Sequence, residues 1–182
     1  MKQGLIIIDV QKDYFKGGRF ELHKPEEACV AVKKVLEHFR SKKLPIYFIQ
    51  HLSKKGSLFF DPTTDGIDIY KDITPLEGEK VVTKHFPNSF HETTLLEELK
   101  KDGVTDLVIC GMMTHMCVDT TTRAAKDHGY PVTLISNACA TRDAVWNGET
   151  IPAETVQSVF LASLNKMFAT IVTDDEFLAA EK

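Results

Sequence analysis

The chain has 182 residues, 43% of them hydrophobic and 26% charged, with a formal net charge of -4. Residues 1–182 are long enough to bury a full core and short enough to form a single domain. Interspersed Lys and Glu leave no basic stripe, which argues against nucleic acid and favours a small-molecule partner. No apolar run approaches the roughly 20 residues that span a bilayer, and the N-terminus enters "LIIIDV" without a signal-peptide pattern, so a cytoplasmic protein with no membrane partner is expected.

In chain order, the first apolar run is "GLIIIDV" at residues 4–10, followed by a helical pattern at 25–42 that Pro25 opens. A second strand, "LPIYFIQ" at 44–50, leads into residues 52–79, a Gly-, Pro-, Asp- and Thr-containing stretch with little periodicity. The third strand is "KVVTK" at 80–84, followed by a helix over 91–103 that Gly103 stops and a fourth strand, "TDLVICG", at 105–111. A helix over 115–129, a fifth strand, "PVTLIS", at 131–136 and an irregular stretch at 137–151 holding Trp146 come next. The chain then gives a helix over 151–167 and a sixth strand, "FATIVT", at 168–173. Several strands are too continuously apolar to have a wet face, and strand–helix alternation predicts an α/β fold with parallel strands and helices on both faces. Loops as long as 52–79 and 137–151 commonly serve as lids, binding loops or subunit contacts.

Open parallel sheets bind ligands beyond the carboxyl ends of their strands. There the first strand ends in Asp9, the third in Lys84, and past the fourth a helix begins near Cys117. A helix N-terminus and a nearby ammonium both favour a thiolate, so Lys84 would activate Cys117 while Asp9 carries its proton to a leaving amine. Taken singly, Asp9 also reads as a turn or capping acid, Lys84 as a solvated charge and Cys117 as an inward-packed helix residue. The remaining thiols, Cys29, Cys110 and Cys139, read as apolar filler, and no cysteine spacing suggests a zinc site.

The segments "LIIIDVQKDYF", "VVTKHFPNSF" and "LVICGMMTHMCVDTTTRAAKDHGYPVTLISNACAT" resemble the isochorismatase-like cysteine hydrolase family, which includes nicotinamidases and N-carbamoylsarcosine amidases. The likeness runs from Gly4 to about Leu178. It implies a three-layer α/β/α, Rossmann-like fold whose six-stranded parallel sheet has the order 3-2-1-4-5-6. It also implies a catalytic triad of Asp9 as proton shuttle, Lys84 as electrostatic support and Cys117 as nucleophile. A cis peptide at Met112–Met113 and an oxyanion hole from the amides of Met113 and Cys117 complete the implied site. The implied reaction is attack on an amide-type carbonyl, loss of ammonia or an amine and hydrolysis of the thioester, without a cofactor.

Nicotinamidases carry an Asp-x-His metal motif after the second strand, where this chain has Gln50 and His51. Neither a metal nor nicotinamidase activity is therefore expected. His51 reads as a substrate contact or a polar surface histidine. Phe15, Phe90 and Trp146 could line an apolar substrate pocket, and His115 could face that pocket or cap the helix. Family members often form dimers or tetramers, and "SLFF" at residues 57–60 could cover a neighbouring subunit. Keeping Cys117 favours acyl transfer over an isochorismatase-type vinyl-ether hydrolase, and the presence of all three triad residue types argues against a silent binding or scaffold homologue.

Overall fold

A computed structural model describes residues 2–181. Strand β1 (Gln3–Ile8) is followed by α1 (Pro25–Ser41), β2 (Ile46–His51), β3 (Lys80–Lys84) and α2 (Leu95–Lys101). Next come β4 (Asp106–Met112), α3 (Asp119–Asp127), β5 (Val132–Ala140), β6 (Ala144–Trp146) and β7 (Glu149–Ile151). The last elements are α4 (Ala153–Leu164), β8 (Thr170–Val172) and α5 (Asp174–Ala180). Six strands form one sheet in the order β3-β2-β1-β4-β5-β8, parallel at every pairing. Counting only its members in chain order, this is the 3-2-1-4-5-6 arrangement.

Period-two alternation along β1 sorts its side chains to opposite faces of the sheet. Leu5 and Ile7 join Val32, Val35, Leu36 and Phe39 of α1 and Phe177 of α5 in one core. Ile6 and Ile8 join Leu95 and Leu99 of α2, Ala125 of α3 and Leu164 of α4 in the other. Each of Leu5 to Ile8 is at most 1% exposed. Burying such a side chain contributes roughly 1.5–3 kcal/mol, and helices cover both faces because neither can be left wet.

Two stretches differ from the sequence reading. Residues 137–151 are not an irregular loop: β5 continues to Ala140, and β6 and β7 pair antiparallel as a small hairpin. Asn147 and Gly148 turn that hairpin at φ 50° and 79°, the left-handed values a two-residue hairpin turn requires. The helix α5 adds a fifth helix at the end, opened by a capping box in which Thr173 accepts from the Glu176 amide and Glu176 accepts from Thr173.

The SLFF segment also turns inward. Phe60 is fully buried, and Phe59 packs at 5.9 Å and Phe60 at 4.6 Å from the Tyr14 ring, so both pack onto their own chain. Leu58 alone of the three apolar residues stays outside, at 68% exposed. The buried Asp13 carboxylate holds this segment by accepting from the Phe60 amide at 2.6 Å. Gly66 is required beside it, since a Cβ there would lie 2.2 Å from Asp13 Oδ1.

Candidate active site

The carboxyl ends of β1, β3 and β4 converge because these strands run parallel within one sheet. Chain direction alone therefore brings together the residues that follow them. Asp9 leaves β1 with φ 50°, a left-handed value that Asp tolerates better than most residues and that turns it out of the strand line. Gly111 leaves β4 with φ 125°, and a Cβ there would meet Ile8 O at 2.1 Å. Only glycine permits that approach, so the β1 and β4 ends meet backbone to backbone. The Met112–Met113 peptide that follows is cis. Residues Thr114–Val118 then form a π-turn before α3, in which Met113 O accepts from the amides of Met116 and Val118. Cys117 is carried by this turn.

Lys84 is fully buried, and its ammonium stands at the centre of the site. Its Nζ lies 2.8 Å from His51 Nδ1, 3.1 Å from Phe86 O and 3.3 Å from Cys117 Sγ, all as hydrogen bonds. Asp9 Oδ2 is 2.7 Å away, yet both Asp9 oxygens are buried without a hydrogen-bond partner among the described residues. The Lys84–Asp9 contact is thus an ion pair set off the line of a hydrogen bond. An ammonium has three donors, and His51, Phe86 and Cys117 take them.

Charge states follow from this packing. Burial pulls Lys84 down, but Asp9 and Cys117 outweigh it and hold the lysine above its ordinary value, so it is an ammonium. Burial pushes the Cys117 thiol up, Asp9 adds to the shift, and Lys84 only partly opposes it. The resting sulfur is therefore a thiol, whereas the sequence reading expected Lys84 to yield a thiolate; desolvation of a 5% exposed side chain outweighs the ammonium. Burial first and Lys84 second push His51 down to about 4, so its ring is neutral near pH 7. With Lys84 donating to Nδ1, the ring proton resides on Nε2.

His51 belongs to this cluster and is not a surface histidine: its side chain is 12% exposed and lies 3.9 Å from Asp9. Sequence reasoning missed the residue that fixes it, Gln11. This fully buried amide accepts from the His51 backbone N–H at 2.8 Å and donates to the His51 carbonyl at 2.9 Å, so it pairs with β2 as a further strand residue would. Gln50 stands apart from the cluster, donating to Ile67 O.

The other sequence-derived candidates lie elsewhere. Phe15 is buried and stacks on Tyr70 at 3.5 Å, lining a cleft of about 590 Å³ whose walls include none of Asp9, Lys84 and Cys117. Phe90 packs beside the His128 ring at 4.9 Å. Trp146 sits on the hairpin, 72% exposed, away from the walls of that cleft. His115 is half-buried between the Thr141 hydroxyl, which contacts its Nδ1, and the edge of Phe160. Burial and the nearby Arg142 lower the His115 pKa.

Donor atoms of Asp9, His51 and Cys117 lie within 4.8 Å of one another, close enough to surround a cation. The Lys84 ammonium is that cation, at 2.7, 2.8 and 3.3 Å from the three. A metal ion held by these three donors does not fit, because the Lys84 ammonium already fills the space among them.

An acid, a buried ammonium and a thiol thus meet at the strand ends of a three-layer α/β/α sheet. The Isochorismatase domain profile matches residues 3–176, and the chain belongs to that family of hydrolases. The uncharacterized isochorismatase family protein YddQ of Bacillus subtilis (strain 168) is 43% identical over 180 residues, covering 98% of this chain and 99% of its own. The crystal structure of an isochorismatase from Pseudomonas putida KT2440 superposes with a TM-score of 0.89 at 37% identity, covering 96% of this chain and 89% of that one. A streptothricin hydrolase of Streptomyces noursei is 29% identical over 154 residues, 83% of this chain and 60% of that enzyme. No helix among the described residues is long and apolar enough to cross a membrane.

Proposed function

We propose that the chain is a cysteine-dependent hydrolase of a small-molecule C–N bond, a carboxamide, ureide or carbamoyl group, acting through Asp9, Lys84 and Cys117. The observation that carries this reading is the buried Lys84 ammonium, in contact with Asp9 at 2.7 Å and with Cys117 at 3.3 Å.

Because the resting sulfur is a thiol, attack is coupled to proton transfer. Cys117 Sγ bonds to the substrate carbonyl carbon as its proton passes to the Asp9 carboxylate, which holds no hydrogen bond of its own. Lys84 stabilises the negative charge during transfer, and the amides of Met113 and Cys117 serve the oxyanion. Asp9 returns the proton to the leaving nitrogen, and ammonia or an amine departs. Water then attacks the thioester, Asp9 takes its proton, and the acid product leaves as the thiol re-forms. Substrate carboxamides are uncharged, which suits entry to a site whose own charges are already paired.

The Pseudomonas putida relative, described as an isochorismatase, supports a second reading. In a vinyl-ether hydrolase Asp9 would act as acid and Cys117 would be dispensable. Ammonia release from a panel of small amides, ureides and carbamoyl compounds, comparing wild type with Cys117→Ala under metal-free conditions, separates the two. The C–N hydrolase reading expects release that disappears in the variant; equal rates in both proteins would move the ether hydrolase ahead.

A further inference from the structure

Asp9 is an anomaly among the buried groups. A carboxylate removed from water without a hydrogen bond is costly, and most such groups find donors. The nearest donor group, the Lys84 ammonium, is only 2.7 Å from Oδ2 but directs its protons elsewhere. Two of those protons go to groups with no part in bond making: His51 Nδ1 at 2.8 Å and Phe86 O at 3.1 Å. Phe86 O is main chain. His51 is a side chain, and its backbone is held on both sides by Gln11.

We infer that His51 is a positioning residue: by accepting a Lys84 hydrogen bond on Nδ1, it keeps that donor off Asp9 and leaves the carboxylate free to take the Cys117 proton. This rests on the proposed role of Asp9 as proton acceptor. Without the acceptor at position 51, a Lys84 N–H turns into the 2.7 Å gap to Asp9 Oδ2. A charge-assisted hydrogen bond there makes the carboxylate a poorer base. The charged and titratable groups that face the His51 ring are Lys84, Asp9 and His85, and its ring centroid lies 5.7 Å from that of Phe60. Its ring must be neutral to accept, and burial together with Lys84 keeps it so.

The test compares His51→Leu, which removes the acceptor, with His51→Asn, whose Oδ1 can occupy the position of Nδ1. Two readouts are used: kcat and KM on the best amide of the panel, and the chemical shift of the Asp9 carboxyl carbon at pH 7 by ¹³C NMR, assigned with Asp9→Asn, which reports a new hydrogen bond to that carboxylate. His51→Leu is expected to lower kcat about 10- to 100-fold with KM nearly unchanged, the range seen for residues that orient catalytic groups. It should also displace the Asp9 carboxyl resonance, and His51→Asn should restore both. An unmoved Asp9 resonance in His51→Leu, or equal kcat losses in Leu and Asn variants, would overturn the inference. The NMR readout needs no substrate, so it decides the matter even if no amide is turned over. Retained turnover in Cys117→Ala would instead undo the underlying reading, a result independent of position 51.

Discussion

Asp9 and Asp13 stand four positions apart, both at most 2% exposed, and they are handled in opposite ways. Asp13 receives the Phe60 amide on one oxygen at 2.6 Å and the Arg19 amide on the other at 3.2 Å, with Gly66 pressed against it. Asp9 receives no hydrogen bond, although an ammonium lies 2.7 Å away. A buried acid whose oxygens are both bonded fastens chain segments together. One left unbonded beside a thiol keeps both oxygens open to accept a proton, as the proposed mechanism requires.

The sharpest way to break this contrast is Asp9→Asn, which should cut turnover by about 10²- to 10⁴-fold, the usual contribution of a general acid–base group. The same change should slow alkylation of Cys117 by iodoacetamide at pH 7–8, because the buried thiol loses the carboxylate that takes its proton. Turnover and labelling that fall together, with the urea midpoint retained, would separate proton transfer from simple damage; unchanged labelling would contradict it. Lys84→Ala strands a buried carboxylate, and about 3–5 kcal/mol of stability should go with it, measurable by urea unfolding.

On the Asp13 side the expected losses are in stability alone. Asp13→Asn replaces one acceptor oxygen with an amide that cannot accept, at a cost of about 1–3 kcal/mol, and kcat should stay at the wild-type value while the protein is folded. A kcat loss as large as that of Asp9→Asn would erase the distinction between the two acids. Gly66→Ala forces a Cβ to 2.2 Å from Asp13 Oδ1 and should cost about 1–3 kcal/mol as well.

The most gradual effect is a pH slope. His51 has a folded-state pKa of about 4 against an ordinary 6.5, so between those values the unfolded chain binds more protons. Stability contributed by this residue is present above pH 6.5 and is lost as pH falls toward 4. The slope is at most about 1.4 kcal/mol per pH unit, and His51→Asn should remove it from the dependence of urea midpoints on pH.

Much of this was readable from residue order. The six sheet strands announce themselves because both faces are covered, so "LIII" and "LVIC" are continuously apolar. Parallel direction then puts Asp9, Lys84 and Cys117 at one rim. The hairpin was readable too, since Asn147-Gly148 is the dipeptide of a two-residue turn, and so was α5, whose Thr173 and Glu176 have capping-box spacing. Other features depend on distant chain. His51 is enclosed by Phe60 and clamped by Gln11, neither of which any local pattern around residue 51 signals. The thiol state of Cys117 was misread because the charge of Lys84 is visible in a sequence, while the desolvation that opposes it is a property of the packed site.

The contact between Gly111 and Ile8 bears on how such a site endures through descent. Asp9 follows Ile8 directly, and the turn holding Cys117 follows β4, so their separation is ruled by two stretches of main chain touching each other. Position 111 has no latitude, because a Cβ there would lie 2.1 Å from Ile8 O and push the acid and the thiol apart together.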